Sequence, residues 1–240
     1  MLFHKRENSV IVAGHRGICA EYPENTMLSY RKAIELGVDQ LEIDLNLTKD
    51  GHVVLIHDCT VDRTTEKAGR VRDYTLEEIR QMDAGSFKDY AFRGEKIPPF
   101  EELLAYISDT DISLNVEIKD RTFETVRKAV DMLRAYHMED RFVIACWDAN
   151  ILQYADNMLV NFSNETRSHL YSVGIPVSMI TKELCDEYKN CGIQPWSWCP
   201  DTEEAVEKAI ACGARLLTCN DPAPALRVVK RLGLGNRDGI

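Results

Sequence analysis

Two stretches of the chain alternate strictly between apolar and polar residues. In QLEIDLNL (40–47) every second residue is leucine or isoleucine, and the residues between them include Glu42 and Asp44. In ISLNVEIK (112–119) the same alternation leaves Glu117 and Lys119 on the polar side. A period of two is that of a β-strand whose two faces meet different environments. The sequence therefore predicts strands over Asp39–Leu47 and Ile112–Lys119, each with one polar face.

Strand and helix signals alternate along the rest of the chain. A buried strand at Val10–Ala13 leads into Gly14-His15-Arg16-Gly17, Asn25 is predicted to cap a helix ending at Leu36, and the strand Val53–Ile56 is followed by His57. Further strands are predicted at Arg141–Trp147, Leu159–Phe162, Pro176–Met179, Ile193–Cys199 and Arg215–Cys219. Helices are predicted at Phe123–Tyr136, Ala149–Met158, Glu165–Val173 and Lys182–Asn190, from Asp201 to Ala211 with Asp201 as its cap and Glu204 three residues on, and from Asp221. About eight alternations in one domain predict a parallel (β/α)8 TIM barrel.

The segment 61–99 departs from this alternation. It has a capping box at Thr75 and a short predicted helix to Met82, and then a stretch rich in glycine and charge without a clear period. Pro98 and Pro99 start the next predicted helix. We expect 61–99 to be a small insertion or lid within a single barrel domain that spans residues 1–240.

Composition narrows the classes of protein. The formal net charge of −10 argues against a general nucleic-acid binder. The apolar runs are of strand length, far short of the roughly 20 residues of a membrane span. The N-terminus lacks the pattern of a secretory signal, and eight scattered cysteines without a CxxC pair indicate reduced thiols, so we expect a cytoplasmic protein. The oligomeric state is not predicted.

The polar face at Glu42 and Asp44 is a candidate metal site. Side chains two positions apart on a strand point the same way, and two confined carboxylates raise each other's pKa unless a positive charge neutralises them. A hard cation such as Mg²⁺ or Ca²⁺ prefers such oxygen ligands. The alternative is that Glu42 and Asp44 lie on the solvated face of a half-exposed antiparallel strand.

The position of the polar residues in a barrel favours a shared site. Catalytic groups of TIM barrels lie at the C-terminal ends of the strands, and the candidates fall at or near such ends: His15, Arg16, Glu42, Asp44, His57, Glu117, Lys119 and Trp198. Each has a simpler interpretation. The histidines could be structural, Lys119 could be a solvated charge, and the tryptophans, Trp196 above all, could belong to the core.

Together these side chains fit phosphodiester cleavage. Three carboxylates around one cation leave coordination positions for substrate oxygens, and Arg16 and Lys119 add positive charge for a phosphate. Two histidines from different strands can activate the attacking group and protonate the leaving alkoxide. The chain has no P-loop and no GxSxG elbow, which argues against nucleotide-triphosphate and serine-hydrolase chemistry.

At these residues the chain resembles the glycerophosphodiester phosphodiesterases. The matching segments run in order along nearly the whole chain: Gly14-His15-Arg16-Gly17 with Pro23-Glu24-Asn25-Thr26, Glu42-x-Asp44, His57-Asp58, Arg63-Thr64-Thr65 with Gly69, Glu117-x-Lys119, and Trp198. A single short motif of this kind would be weak, but the ordered set is specific.

The resemblance implies a TIM barrel of the phospholipase-C-like type with an inserted subdomain, and hydrolysis of a glycerophosphodiester to an alcohol and glycerol 3-phosphate. It implies one Mg²⁺ or Ca²⁺ bound by Glu42, Asp44 and Glu117, and His15 and His57 as general acid and base. In the same way it implies that Arg16 and Lys119 hold the phosphate of a small-molecule substrate and that Trp198 lines the alcohol side.

The chain departs from the family pattern on the alcohol side of the expected pocket, where it has Cys146-Trp147 and Trp198-Cys199-Pro200-Asp201. These departures leave the preference for the leaving alcohol open. A relative that cleaves lysophospholipids is an alternative, which a large apolar patch on the lid would favour. A catalytically silent barrel that binds phosphorylated ligands is the alternative outside enzymes.

Overall fold

The computed structural model describes residues 8–159 and 172–236 and has the predicted barrel architecture. The strands are β1 (Ile11–His15), β2 (Gln40–Leu47), β3 (Val53–Leu55), β4 (Ser113–Ile118), β5 (Phe142–Ala145), β6 (Ser172–Pro176), β7 (Gln194–Trp198) and β8 (Leu216–Cys219). The helices are α1 (Met27–Leu36), α2 (Leu76–Gln81), α3 (Phe100–Ile107), α4 (Phe123–Ala135), α5 (Ala149–Leu159), α6 (Lys182–Asn190), α7 (Glu203–Cys212) and α8 (Ala223–Arg231).

The strands form one sheet in the order β5-β4-β2-β1-β8-β7-β6, with all neighbouring pairs parallel, and β3 pairs antiparallel with β2. Within the described ranges no ladder joins β5 to β6. The fold is that of a TIM barrel, in which α-helices cover the outside of a parallel sheet.

The polar faces of β2 and β4 line the inside of the barrel. The alternate residues Leu41 and Leu114 pack outward into the core shared with α1, α3 and α4, whereas Glu42 and Asp44 are 3% and 0% exposed. The interpretation of this face as solvated is therefore wrong. The helices cover the outer face of the sheet, so the opposite face of β2, with Glu42 and Asp44, turns to the interior of the barrel.

The segment between β3 and α3 has a small hydrophobic cluster of its own. Its members include Val61, Val71, Ile79 and Met82, together with one residue of β3, Val54, and Ile56 directly after it. Lys88 donates to the carbonyl oxygens of Cys19 and Ala20 at 2.7 Å each, which ties this segment to the loop after β1. The extent of an inserted unit over 61–99 stays a prediction.

Two predicted helix caps are wrong by one residue. The side chain of Thr26, not Asn25, caps α1, and Thr202, not Asp201, caps α7. Both neighbouring side chains can cap a helix, but Asn25 and Asp201 have tertiary hydrogen-bond partners.

The prediction is least accurate around residues 159–179. The strand predicted at Pro176–Met179 is wrong, because the strand there is β6, which ends at Pro176. The strand predicted at Leu159–Phe162 lies outside the described residues except for Leu159, which ends α5. The helix predicted at Glu165–Val173 also lies outside them, except for two residues that belong to β6.

Candidate active site

Strand register assembles the acidic cluster. In the parallel pairing of β1 with β2, His15 lies opposite Glu42, and in the pairing of β2 with β4, Asp44 lies opposite Glu117. One ligand oxygen from each of Glu42, Asp44 and Glu117 lies within 4.8 Å of the other two. This is the one such cluster of metal-ligating side chains in the part of the chain that the structure describes.

The cluster has the character of a cation site. Asp44 Oδ1 is buried without a hydrogen-bond partner. Burial, and then the charge of Asp44, raise the pKa of Glu42. Two buried carboxylates, one of them with an oxygen that lacks a hydrogen bond, are unfavourable unless nearby positive charge balances them. Glu42, Asp44 and Glu117 therefore fit a divalent cation with oxygen ligands.

His15 ends β1 and lies beside this cluster. Its Nε2 is 3.8 Å from Glu42 Oε2, and its Nδ1 is 2.6 Å from Oδ1 of Asn220. Burial by itself lowers the pKa of His15, but Glu42 and the neighbouring thiols of Cys19 and Cys199 together raise it by more, so the balance is an increase. The imidazole thus lies between an acidic cluster and a neutral amide.

His57 lies on the other side, two residues after β3. Its Nδ1 is 2.6 Å from Asp58 Oδ1, and its Nε2 is 3.0 Å from Lys119 Nζ. Lys119 also donates to Glu117 Oε1 at 2.8 Å and is 3.7 Å from Asp44 Oδ1. Because a carboxylate only accepts and an ammonium only donates, Nδ1 of His57 carries the proton in this arrangement and Nε2 carries the lone pair.

Arg16 follows β1 in the left-handed region, with φ 54°. Its backbone N–H donates to Glu42 Oε2 at 3.1 Å. Its Nε is 3.2 Å from Asp44 Oδ2, and its Nη1 donates to Glu24 Oε1 at 3.0 Å. This places a fixed positive charge next to the acidic cluster.

A chain of ion pairs joins the two histidine environments. Arg63 donates to both carboxylate oxygens of Glu24, at 2.7 and 2.8 Å, and its Nε donates to Asp58 Oδ2 at 2.6 Å. Glu24 in turn holds Arg16, and Asp58 holds His57. Burial by itself would raise the pKa of Glu24, but Arg63 and Arg16 lower it by more, so the balance is a decrease.

Two hydrogen bonds connect Asp44, through Asn25, to a tyrosine of the hydrophobic core. Asn25 Nδ2 donates to Asp44 Oδ2 at 2.9 Å, and Asn25 Oδ1 accepts from the hydroxyl of Tyr30 at 2.6 Å. Asn25 has φ 55° and is 3% exposed, so its conformation is set by these partners. Burial and the charges of Asp44 and Glu42 hold the pKa of Tyr30 well above its usual value, which keeps its hydroxyl a donor.

The structure brings seven of the eight predicted site residues into one network of close polar contacts, in which Trp198 takes no part. Trp198 ends β7 at the same end of the barrel, in register with Thr218. Trp196 packs against Gly174, where an added Cβ would lie 2.6 Å from its ring, but Trp196 is only partly buried and is not a core residue. Trp147 is 77% exposed.

Sequence reasoning missed the supporting residues Asn220 and Tyr30, and it named Asp201 only as the start of a helix and as part of a departure from the family pattern. It named Glu24, Asn25, Asp58 and Arg63 only as parts of motifs. Asn220 follows β8 directly, so its position at a strand end was the one signal that pointed to it.

A TIM barrel with acidic, basic and histidine side chains gathered at the C-terminal ends of its strands has the form of a barrel enzyme. The profile of the glycerophosphoryl diester phosphodiesterase family matches residues 15–171. The chain is 33% identical over 240 residues to a glycerophosphodiester phosphodiesterase of Caldanaerobacter subterraneus subsp. tengcongensis, covering 93% of this chain and 99% of that protein. The chain therefore belongs to the glycerophosphodiester phosphodiesterase family, and it is a phosphoric diester hydrolase.

Solved structures with the same fold agree with this assignment. A glycerophosphodiester phosphodiesterase from Agrobacterium tumefaciens superposes with a TM-score of 0.79 at 20% identity, covering 92% of this chain and 99% of that chain. A phosphodiesterase from Oleispira antarctica, solved in complex with the product sn-glycerol-3-phosphate, has a TM-score of 0.80 at 23% identity and covers 92% of this chain and 97% of that one. At these identities the similarity shows the fold. No helix among the described residues is long and apolar enough to cross a membrane.

Proposed function

We propose that the protein hydrolyses glycerophosphodiesters to an alcohol and sn-glycerol 3-phosphate in a reaction that depends on one divalent cation, Mg²⁺ or Ca²⁺. The observation that carries this proposal is the carboxylate trio, two of whose members are buried, with ligand oxygens within 4.8 Å of one another and with His15 and His57 beside it. The product in the Oleispira antarctica structure supports the same choice of substrate class.

In this proposal Glu42, Asp44 and Glu117 hold the cation, which when bound would supply positive charge for the oxygens of the phosphate. Arg16 and Lys119 bind the remaining phosphate oxygens. Lys119 now contacts His57 Nε2 and Glu117, and a phosphate would compete for its ammonium.

His15 and His57 divide the proton transfers in the proposed reaction. Each presents Nε2 toward the site, while its Nδ1 is held by a neighbour, Asn220 or Asp58. An imidazole so oriented can take a proton from the attacking hydroxyl or water, or give one to the departing alkoxide. Trp198 would line the alcohol side, and the segment 61–99 would be a small inserted lid of the single barrel domain.

The test is the release of glycerol 3-phosphate from glycerophosphocholine and glycerophosphoethanolamine by the purified protein, after EDTA treatment and after restoring Mg²⁺ or Ca²⁺. We expect activity to disappear with EDTA, to return with one of the metals, and to fall by about 10²–10⁴-fold in His15→Ala. His52→Ala is the matched control, since His52 is an exposed histidine whose ionic contact is Asp50.

Two outcomes would count against the proposal. Full activity in metal-free protein would reject the role of Glu42, Asp44 and Glu117. Turnover of a lysophospholipid, with none of the two water-soluble diesters, would keep the reaction class but replace the substrate.

A further inference from the structure

Asn220, which contacts His15, forms a polar pair with Asp201, a residue to which the proposed reaction assigns no role. Asn220 follows β8, and its Oδ1 is 2.6 Å from His15 Nδ1. Asp201 lies in the loop between β7 and α7, and its two carboxylate oxygens take both the backbone N–H and the side-chain amide of Asn220, each at 2.7 Å. Three elements of the barrel therefore meet at this point.

Asp201 decides which way the amide of Asn220 points. A carboxylate accepts hydrogen bonds and cannot donate them, so the NH2 group of Asn220 must face Asp201 and its carbonyl oxygen must face His15. The thiol of Cys19 donates to the same Oδ1 at 3.1 Å, which agrees with this orientation. The reverse orientation of the amide would lose the hydrogen bond from its NH2 to Asp201 and the one that its oxygen accepts from Cys19.

The orientation of Asn220 in turn decides where His15 carries its proton. An amide oxygen can only accept, so Nδ1 of His15 must be the protonated nitrogen in this hydrogen bond. Nε2, on the opposite side of the ring, then faces the acidic cluster at 3.8 Å from Glu42 Oε2. We propose that Asn220, oriented by Asp201, is a positioning residue that holds His15 with its Nδ1–H bound and its Nε2 directed at the substrate. This inference rests on the proposed role of His15 in proton transfer.

The alternative role of Asp201, that of a helix cap, does not account for these contacts. Thr202 caps α7, with its Oγ1 accepting from the N–H of Ala205 at 3.2 Å. Asp201 instead accepts from Asn220 twice and from the backbone N–H of Asp221 at 3.2 Å. Its carboxylate is thus directed at the loop that carries Asn220 and not at its own helix.

The test is an exchange of the two side chains. In Asp201→Asn the new amide has the same shape as the carboxylate. Its oxygen would accept from the backbone N–H groups of Asn220 and Asp221, so its NH2 would face the NH2 of Asn220, and two donors would meet. We expect Asn220 to turn its NH2 toward His15, kcat for glycerophosphocholine to fall about 10- to 100-fold, and KM to change less than about twofold. The double variant Asp201→Asn/Asn220→Asp again pairs a donor with an acceptor and should return kcat to within about fivefold of the wild-type value.

Two further variants separate positioning from loss of structure. Thr202→Ala removes the adjacent helix cap and should lower Tm without changing kcat. In a His15→Ala background, Asp201→Asn should cause no further loss of kcat, because a residue that acts through His15 has nothing left to position. A purely structural effect would lower kcat by the same factor in both backgrounds.

The outcomes distinguish this inference from the proposed function. If His15→Ala shows the expected loss but Asp201→Asn has wild-type kcat, or if Asp201→Asn/Asn220→Asp stays as slow as Asp201→Asn, the positioning role is wrong and the proposed function stands. If His15→Ala retains full activity, the proposed role of His15 fails, and the positioning inference fails with it.

Discussion

Replacement of Tyr30 by phenylalanine would remove one hydroxyl from beneath the candidate metal site and keep the ring. Tyr30 is 0% exposed, and its hydroxyl donates to Asn25 Oδ1 at 2.6 Å. Asn25 Nδ2 in turn donates to Asp44 Oδ2 at 2.9 Å. The variant therefore tests whether the core holds Asp44 in position through Asn25.

The expected loss of stability follows from the hydrogen-bond partner that Asn25 Oδ1 keeps in the variant. Without the Tyr30 hydroxyl its remaining partner among the described residues is the backbone N–H of Asp44 at 3.4 Å, a long contact. A buried acceptor without a good donor costs about 1–3 kcal/mol. We expect a loss of about 2 kcal/mol in the free energy of unfolding, which for a chain of this length lowers Tm by about 4–8 °C. A loosened Asn25 should also weaken metal binding by roughly tenfold.

The measurements are thermal unfolding in EDTA and calorimetric titration with Mg²⁺ or Ca²⁺. Tyr136→Phe is the matched control, because the Tyr136 hydroxyl makes only a 3.4 Å contact, with Glu101 Oε1 near the surface. The control should change the free energy of unfolding by less than about 0.5 kcal/mol. If Tyr30→Phe unfolds and binds metal as the wild type does, the proposed support of Asp44 through Asn25 is refuted.

Three other variants test separate parts of the molecule. Lys119→Met removes the ammonium that lies 3.0 Å from His57 Nε2, and steady-state kinetics should show kcat/KM for glycerophosphocholine lowered by at least about 10–100-fold; an unchanged value would exclude Lys119 from phosphate binding. Burial by itself would raise the pKa of Asp83, but hydrogen bonds from neighbouring backbone amides and a hydroxyl lower it to about 2. The stability that Asp83 contributes is therefore complete above about pH 4 and is lost as the pH falls toward 2, so urea unfolding should separate wild type from Asp83→Asn at pH 6 and not at pH 2; an equal difference at both pH values would contradict this. Gly85→Ala would place a Cβ 1.8 Å from the carbonyl oxygen of Phe92, so urea unfolding should show a loss of about 3 kcal/mol in the free energy of unfolding. A loss of less than about 1 kcal/mol would mean that the backbone can move there.

Local pattern was sufficient for most elements of the barrel, but not for those around residues 159–179. The alternation in 40–47 and 112–119 predicted β2 and β4 because a strand places successive side chains on opposite faces whatever surrounds it. The same pattern identified Glu42, Asp44 and Glu117, and the resemblance to a known family added their expected roles. Where two adjacent residues could both cap a helix, as at Asn25 and Thr26, local pattern gave no basis for choosing between them.

The sequence by itself determined the class of fold, most of the strands and the set of chemical groups, since these depend on neighbours along the chain. The tertiary structure alone decided that the polar face of β2 lies inside the barrel and that Asp44 faces Glu117 and His15 faces Glu42. Register between strands and the partners of a buried side chain depend on residues far apart in sequence. The pairing of His15 with Asn220, 205 positions along the chain, exists only once β1 and β8 lie side by side.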